Sequence, residues 1–457
     1  MRKSRHTLYK NSITSQMIRF VLPVLALGFF QQLFNALDVI LAGQLGESGS
    51  DAVAAVGSTN AIRSLLVNFF MGCSTGSAVT VSHAIGAGNK KEIRETVHTA
   101  MLLSVLLGAV LTFLGVAFSG AFLALMETPQ NIFGKATLYL QSYFLTMIPS
   151  MVYNFGAAIL RANGETQKPL YFYLITAPVK LVLTYLFVSV FGLDLVGLSL
   201  STVVSQSIAA VLVVIELIKT NSDIKLSLKE LRFHVRPLKK ILYLGIPSGI
   251  QSSTYSLSSV VIQSSVNSLA FLPGFITGNS AAYSIETFAE IVTSAFYQAA
   301  MTFVGVSVGA KDYEKVKKSY KSALLLCTVT ITLLSSVVIL FAKPLLRLYI
   351  PDSETAVSWG VVRILFIFGP LFMQGFMDCT TGTLRGLGVS ISNTVISIVG
   401  VCGVRTLWCL TVFRLPACHN PQMLYSIYPI TWTLITALQL VVFLIVYNRQ
   451  KQKYETP

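Results

Sequence analysis

Among the ionisable residues in stretches otherwise apolar enough to cross a membrane, five stand out. They are Asp38 in "FNALDVILAGQLGE", Lys180 in "APVKLVLTYLFV", Glu286 and Glu290 in "SIETFAEIV", and Asp378 in "MDCTTGTLRGLG". A charged side chain at the centre of a spanning helix costs roughly 2.5–3.5 kcal/mol on insertion scales, so residues of this kind usually carry a proton, an ion or a polar solute. Glu286 and Glu290 are four apart and share one helix face. Two acids on one face repel unless they are solvated, protonated or facing a cation. That pattern suits a water-filled cavity for cationic compounds, or pairing with Arg63 or Arg363. Plainer readings stand beside the other functional ones. Helical rise places Asp38 about 28 Å above Arg19, where its carboxylate reaches interfacial water, and Lys180 about 18 Å above Lys168, as a structural counter-ion to Asp38. Gln32, Asn35, Asn68 and Gln263 add hydrogen-bonding capacity to the same spans, either to line a cavity or to join helices.

The elements that must hold these residues follow from composition. The 457 residues are 53% hydrophobic and only 12% charged, whereas a soluble globular protein is about 25% charged. Twelve stretches have the roughly 20 apolar residues of a span, near 17–41, 52–84, 97–119, 136–160, 169–191, 196–218, 241–267, 281–308, 322–342, 357–384, 393–413 and 425–447. With the N-terminus inside, 26 of the 34 Lys and Arg fall on the cytoplasmic side. This is the positive-inside pattern, with both termini cytoplasmic in a multi-pass protein of the cell's inner (cytoplasmic) membrane. The net charge of +15 is therefore topological and no sign of a nucleic-acid partner. The basic N-terminus precedes a long apolar stretch without a small-residue cleavage site, so it reads as a retained first helix. The six cysteines and five histidines are too dispersed for a metal centre or a disulfide framework. Without a Walker A loop, a metal-spaced His cluster or a sizeable soluble part, the chain is not expected to be an enzyme or to need a cofactor.

The chain is also internally repeated. "YNFGAAILRANGET" (153–166) lies over "MDCTTGTLRGLGVS" (377–390) at an offset of 224, "HAIGAGNKKEIRETV" (83–97) over "VSVGAKDYEKVKKSY" (306–320) at 223, and Pro23 over Pro247 at 224. Asn154 and Asp378 become equivalent, each seven residues before an arginine, with bracing of helices as the plain reading of both. The polar segment 219–240 divides the spans six and six, giving an N-terminal bundle (1–218) and a C-terminal bundle (241–457). An even number of spans per half makes the repeats parallel, related by a pseudo-two-fold axis along the membrane normal, with a cleft between them for a solute.

At this point the residues resemble a family. "PVLALGFFQQLFNALDVILAGQLG", "GCSTGSAVTVSHAIGAGNKKE", "NFGAAILRANGETQKPLYF", "GIPSGIQSSTYSLSSVVIQSSVNS", "QAAMTFVGVSVGA" and "TLRGLG" occur in the order seen in the multidrug and toxic compound extrusion (MATE) transporters, most like the bacterial branches. The resemblance implies an all-α membrane protein of twelve helices in two six-helix bundles. It implies export of amphipathic, often cationic drugs or toxic metabolites against inward flow of protons or sodium. Asp38 matches the family's cation-coupling aspartate, Pro23 the proline where that helix bends, and Thr202 a threonine of the same site. Helix 5 departs from the pattern, with Lys180 and Thr184 where the family has two coordinating side chains four residues apart. A fixed cation there favours protons over sodium. Together Asp38, Lys180, Thr184, Thr202 and Asn154 form the expected coupling site. Gln32, Asn35, Asn68, Glu286, Glu290, Gln263 and Asp378 form the expected cavity lining. Membrane lipids are the surroundings, and the chain is expected to act as a monomer. A lipid-linked precursor flippase of the same superfamily is the alternative, with Arg63, Lys180, Arg363 and Arg405 as its cationic groups.

Overall fold

The computed structural model describes residues 12–43 and 49–455; of these, the side chains of 35–43, 49–58, 60, 61, 131, 454 and 455 lie outside the described set. The described residues are helical throughout, with turns between. The helices are α1 (Ile13–Gly43), α2 (Gly49–Ala87), α3 (Lys90–Leu125), α4 (Gln130–Phe144), α5 (Met147–Ala162), α6 (Gln167–Tyr185) and α7 (Asp194–Lys219). After a short linker come α8 (Val235–Asn267), α9 (Phe275–Gly309), α10 (Tyr313–Leu340), α11 (Ala342–Tyr349), α12 (Glu354–Phe368) and α13 (Leu371–Gly386), then α14 (Ile391–Ser397), α15 (Arg405–Leu410) and α16 (Pro421–Glu455).

Among the described residues nine helices are long and apolar enough to cross a membrane, and the bent pairs α4–α5 and α12–α13 bring the number to eleven. The twelfth is α8. Its 33 residues reach about 50 Å, but the serines and glycines of "GIPSGIQSSTYSLSSVVIQSS" make it too polar to pass on composition. Those small residues have a packing reason. Gly72 and Gly76 of α2 face Gly245 and Gly249 of α8, a pair of G-x-x-x-G repeats set against each other. A Cβ on Gly72 would stand 2.4 Å from the Gly249 Cα, and one on Gly76 2.2 Å from the Ile241 carbonyl oxygen. Helices in lipid gain no hydrophobic drive from each other, so close backbone approach is what joins them.

Two compact units result. One comprises residues 22–253, the other residues 12–21 and 254–455. The sequence suggests a boundary in the 219–240 segment. In the structure the first half of α8 belongs to the first unit, held there by the glycine contact, and the change on α1 falls at Leu22, beside Pro23. In the first unit α5 is central, packing on α2, α3 and α7. In the second, α13 takes that place among α9, α10 and α16.

The units repeat in detail. Both pairs at the fourth span bend, by 42° at α4–α5 and by 45° at α12–α13. Gly164 and Gly388 both close the following turn with positive φ, 85° and 82°. Asn89 caps α3 by accepting the Glu92 N–H at 3.2 Å, and Asp312 caps α10 by accepting the Lys315 N–H at 3.0 Å. Before each cap a residue is left-handed, Gly88 at φ 64° and Lys311 at φ 58°. Burial opposes ionisation of Asp312, but the hydrogen bonds from the Lys315 backbone and ammonium prevail and hold its carboxyl below the usual value. Its contribution is therefore present above the ordinary carboxylate range and lost as pH falls through the lowered value. Asp312→Ala is expected to cost about 1 kcal/mol of stability. Thermal unfolding in detergent should show the gap from wild type closing in acid. A gap independent of pH would show that the carboxylate charge contributes nothing.

Candidate functional site

A polar cluster in the second unit is built on one face of α9, where Asn279, Tyr283, Glu286 and Glu290 recur at helical spacing. Arg363 of α12 is aimed at this face and is only 3% exposed. Its Nε and Nη2 both donate to Glu286 Oε2, at 3.2 and 2.6 Å, and its Nη1 donates to Asn279 Oδ1 at 2.6 Å. The Tyr425 hydroxyl of α16 donates to the same Asn279 oxygen at 2.9 Å. The rings of Tyr283, Tyr425 and Tyr428 stand 5.3, 5.4 and 6.0 Å from the guanidinium carbon, within cation–π range. Charge, hydrogen bonding and packing are all supplied to Arg363 from inside the unit.

This separates the two glutamates that the sequence treats alike. Glu286 is 4% exposed and is taken up by Arg363, so it does not line a cavity for cations. Glu290, one turn on, is exposed, and among the described residues its carboxylate has neither an ion-pair nor a hydrogen-bond partner. Hydrocarbon disfavours such a group, so that part of α9 fits water. The Thr293 hydroxyl has its one proton placed on the Glu290 carbonyl at 3.2 Å, and Asp378 of α13 is half-buried. The repeat-equivalent Asn154 does something different, turning back on α5 to donate to the Ser150 carbonyl at 2.8 Å and to its hydroxyl at 3.4 Å. Gln263 belongs to α8. It is exposed and donates to Asn267 Oδ1 at 3.0 Å along its own helix.

In the first unit Thr184 of α6 is fully buried and hydrogen-bonds Ser201 of α7 at 2.7 Å, while Thr202 donates to the Leu198 carbonyl at 3.1 Å. Lys180 lies half-buried one turn before Thr184, and Gln32 and Asn68 are half-buried on α1 and α2. Arg63 of α2 donates to the Tyr139 hydroxyl at 3.1 Å and stands over the Tyr143 ring at 4.8 Å. Phe34 of α1 meets Tyr173 of α6 edge-on at 5.9 Å, which fixes the height at which those helices run side by side. Asp38 and Asn35 follow on α1; their side chains lie outside the described residues. Pro23 is buried within an unbroken α1.

Sequence reasoning missed the aromatic and amide part of the Arg363 cluster. The recurrence of Asn279, Tyr283, Glu286 and Glu290 was a usable signal. Tyr425 and Tyr428, more than 60 residues beyond Arg363 in the chain, offered none.

These features meet close parallels among known proteins. The probable multidrug resistance protein YoeA of Bacillus subtilis (strain 168) is 25% identical over 408 residues, covering 87% of this chain and 86% of that protein. The probable multidrug resistance protein NorM of Thermotoga maritima is 23% identical and covers 88% of each. A MATE protein solved in complex with MaL6 superposes with a TM-score of 0.90 at 18% identity, over 99% of this chain and 100% of that one, so the fold is shared. The MatE family model matches residues 23–186 and again 247–411, one match for each half of the repeat. On a match that takes in most of the chain and both of its halves, this protein belongs to the MatE family of membrane transporters.

Proposed function

We propose that the protein exports amphipathic, often cationic compounds from the cell in exchange for protons, from an inner membrane in which both its termini are cytoplasmic. Family membership supports export by a secondary transporter, and the multidrug-resistance relatives support the substrate range. The observation that carries proton coupling is Lys180. The Phe34–Tyr173 contact sets a common height on α1 and α6. Asp38 lies four residues beyond Phe34 and Lys180 seven beyond Tyr173. With both spans running outward, helical rise separates their backbones in height by about 4.5 Å, within reach of a lysine side chain. An ammonium paired with Asp38 occupies the place of a bound sodium ion while remaining tethered to the chain. A proton arriving at Asp38 then breaks the pair.

Efflux from proteoliposomes with each gradient imposed separately tests this reading. A pH gradient should drive transport, and a sodium gradient at constant pH should change the rate by less than about twofold, since no second cation is needed beside the ammonium. Lys180→Asn should introduce a sodium response. Strong sodium-driven transport by the unaltered protein would end the tethered-cation account.

A further inference from the structure

Arg405 lies within the span Ile391–Arg414, immediately after a π-helical segment, Ile398–Val404. A π segment adds a residue to the turn, re-aims the side chains that follow it and occurs frequently at functional sites. This one is fastened to α8. Ser258 donates to the Val401 carbonyl at 3.1 Å, and the Cys402 thiol donates to the Thr254 carbonyl at 2.9 Å. The guanidinium that emerges is half-buried. Its carbon stands 4.6 Å from the centre of the Tyr428 ring, and its Nε donates to Thr431 Oγ1 at 3.2 Å. Thr431 is fully buried, and its own proton goes to the Ile427 carbonyl at 2.9 Å or to that of Tyr428 at 3.0 Å. Its oxygen therefore presents a lone pair to Arg405. The side chain is pinned through Nε, and both Nη groups, with their forked donors, remain unassigned.

Among the described residues Arg405 has no ion-pair partner. The contrast with Arg363 is direct, since Glu286 neutralises that guanidinium inside the same unit. Glu290 is the complementary case: it lies one turn beyond Glu286 on the helix face that Arg363 meets, the Tyr428 ring stands beside both Arg363 and Arg405, and among the described residues the exposed Glu290 carboxylate is bridged to nothing. The cluster thus holds a guanidinium and a carboxyl group that no protein group bridges among the described residues, each with unused hydrogen-bonding capacity. Holding an ionised group in a membrane span without a partner is costly, and a ligand that supplied both missing partners would relieve it.

We propose that Arg405, held in place by the Tyr428 ring and the Thr431 oxygen, receives the anionic group of a transported compound while Glu290 receives its ammonium. The second unit then takes amphipathic zwitterions, compounds with a carboxylate and an amine on one apolar body. The carboxylate accepts a bidentate pair of N–H bonds from the two Nη groups. A purely cationic compound leaves Arg405 as a like charge, and a purely anionic one meets Glu290, so the pair also discriminates by repulsion. This assignment rests on the exporter reading above, and its test separates the two.

The test is equilibrium binding of a fluorescent aromatic amino acid derivative and of its methyl ester to the purified full-length protein in detergent. The ester keeps the amine and removes the carboxylate charge. The wild-type protein is expected to prefer the zwitterion. Arg405→Gln should weaken the zwitterion about tenfold, as loss of a charged hydrogen-bonding partner does, and leave ester affinity unchanged or higher, because a like charge is removed; Arg405→Lys should restore part of the preference. Glu290→Gln should weaken both probes, because both carry the amine. Equal losses for zwitterion and ester in Arg405→Gln would overturn the proposal in favour of a packing role. So would an absence of preference in the wild type, or Arg405→Lys behaving no better than Gln. Gradient-driven uptake into proteoliposomes reads the exporter separately: binding with the expected pattern but no transport would refute export and leave the subsite standing.

Discussion

Asp38→Asn is expected to leave a folded protein that still binds substrate but has lost gradient-driven export, down to the rate of protein-free liposomes. Asparagine matches aspartate in size and is neutral at every pH, so it holds the site permanently in the equivalent of its protonated state. Coupling needs both states. With Asp38 ionised, the proposed pair with Lys180 is neutral overall and stable in an apolar setting. With Asp38 neutral, Lys180 is left uncompensated, at a cost of about 3–5 kcal/mol when one partner of a buried pair is removed. A change of helix geometry can relieve that cost. Pro23 offers a place for it, because proline donates no backbone hydrogen bond at that position of α1. Drug efflux and purified-protein binding, measured side by side at matched expression, check the expectation. Export at the wild-type rate in Asp38→Asn would remove this carboxylate from the mechanism.

The second large effect is one of stability. Glu286→Gln is expected to destabilise the second unit by about 3–5 kcal/mol, because it leaves Arg363 buried and charged with only Asn279 and the tyrosine faces around it. Replacing both partners, as in Glu286→Gln with Arg363→Met, should recover most of that loss, since a buried ion pair exchanged for apolar volume is often neutral. Glu290→Gln, four residues on, breaks no ion pair and should change stability by less than about 0.5 kcal/mol, the usual size for an exposed site without special contacts. Thermal midpoints in one detergent compare the three variants. If Glu286→Gln and Glu290→Gln melted together, the distinction between a structural and a ligand-facing glutamate would be lost.

Periodicity and repetition made much of the architecture legible. The offset of 224 between Pro23 and Pro247, and that of 223 between the "GAGNKKE" and "GAKDYEK" turns, reappear as paired caps and paired left-handed residues at Gly88 and Lys311. Local chemistry dictates these features. A polar side chain before a helix caps it wherever the helix goes. The α8 boundary was not legible in the same way. Its glycines and serines are visible in the chain, but their meaning depends on Gly72 and Gly76, more than 160 residues away.

The candidate site divides along the same line. Hydropathy and charge placement by themselves established a multi-pass helical protein with ionisable groups inside its spans, because a bilayer leaves so few alternatives for apolar stretches of that length. The order of the motifs was enough to suggest the family. Sequence spacing put Glu286 and Glu290 on one face and assigned them one role. Only the fold brought Arg363 to the first and left the second exposed, and only the π segment before Arg405, held by Ser258 and Cys402, turned that arginine toward Tyr428 and Thr431. The reason is physical. A residue's type and its helical face are properties of a few neighbouring positions, whereas whether a charge is neutralised depends on which distant helix packs against it.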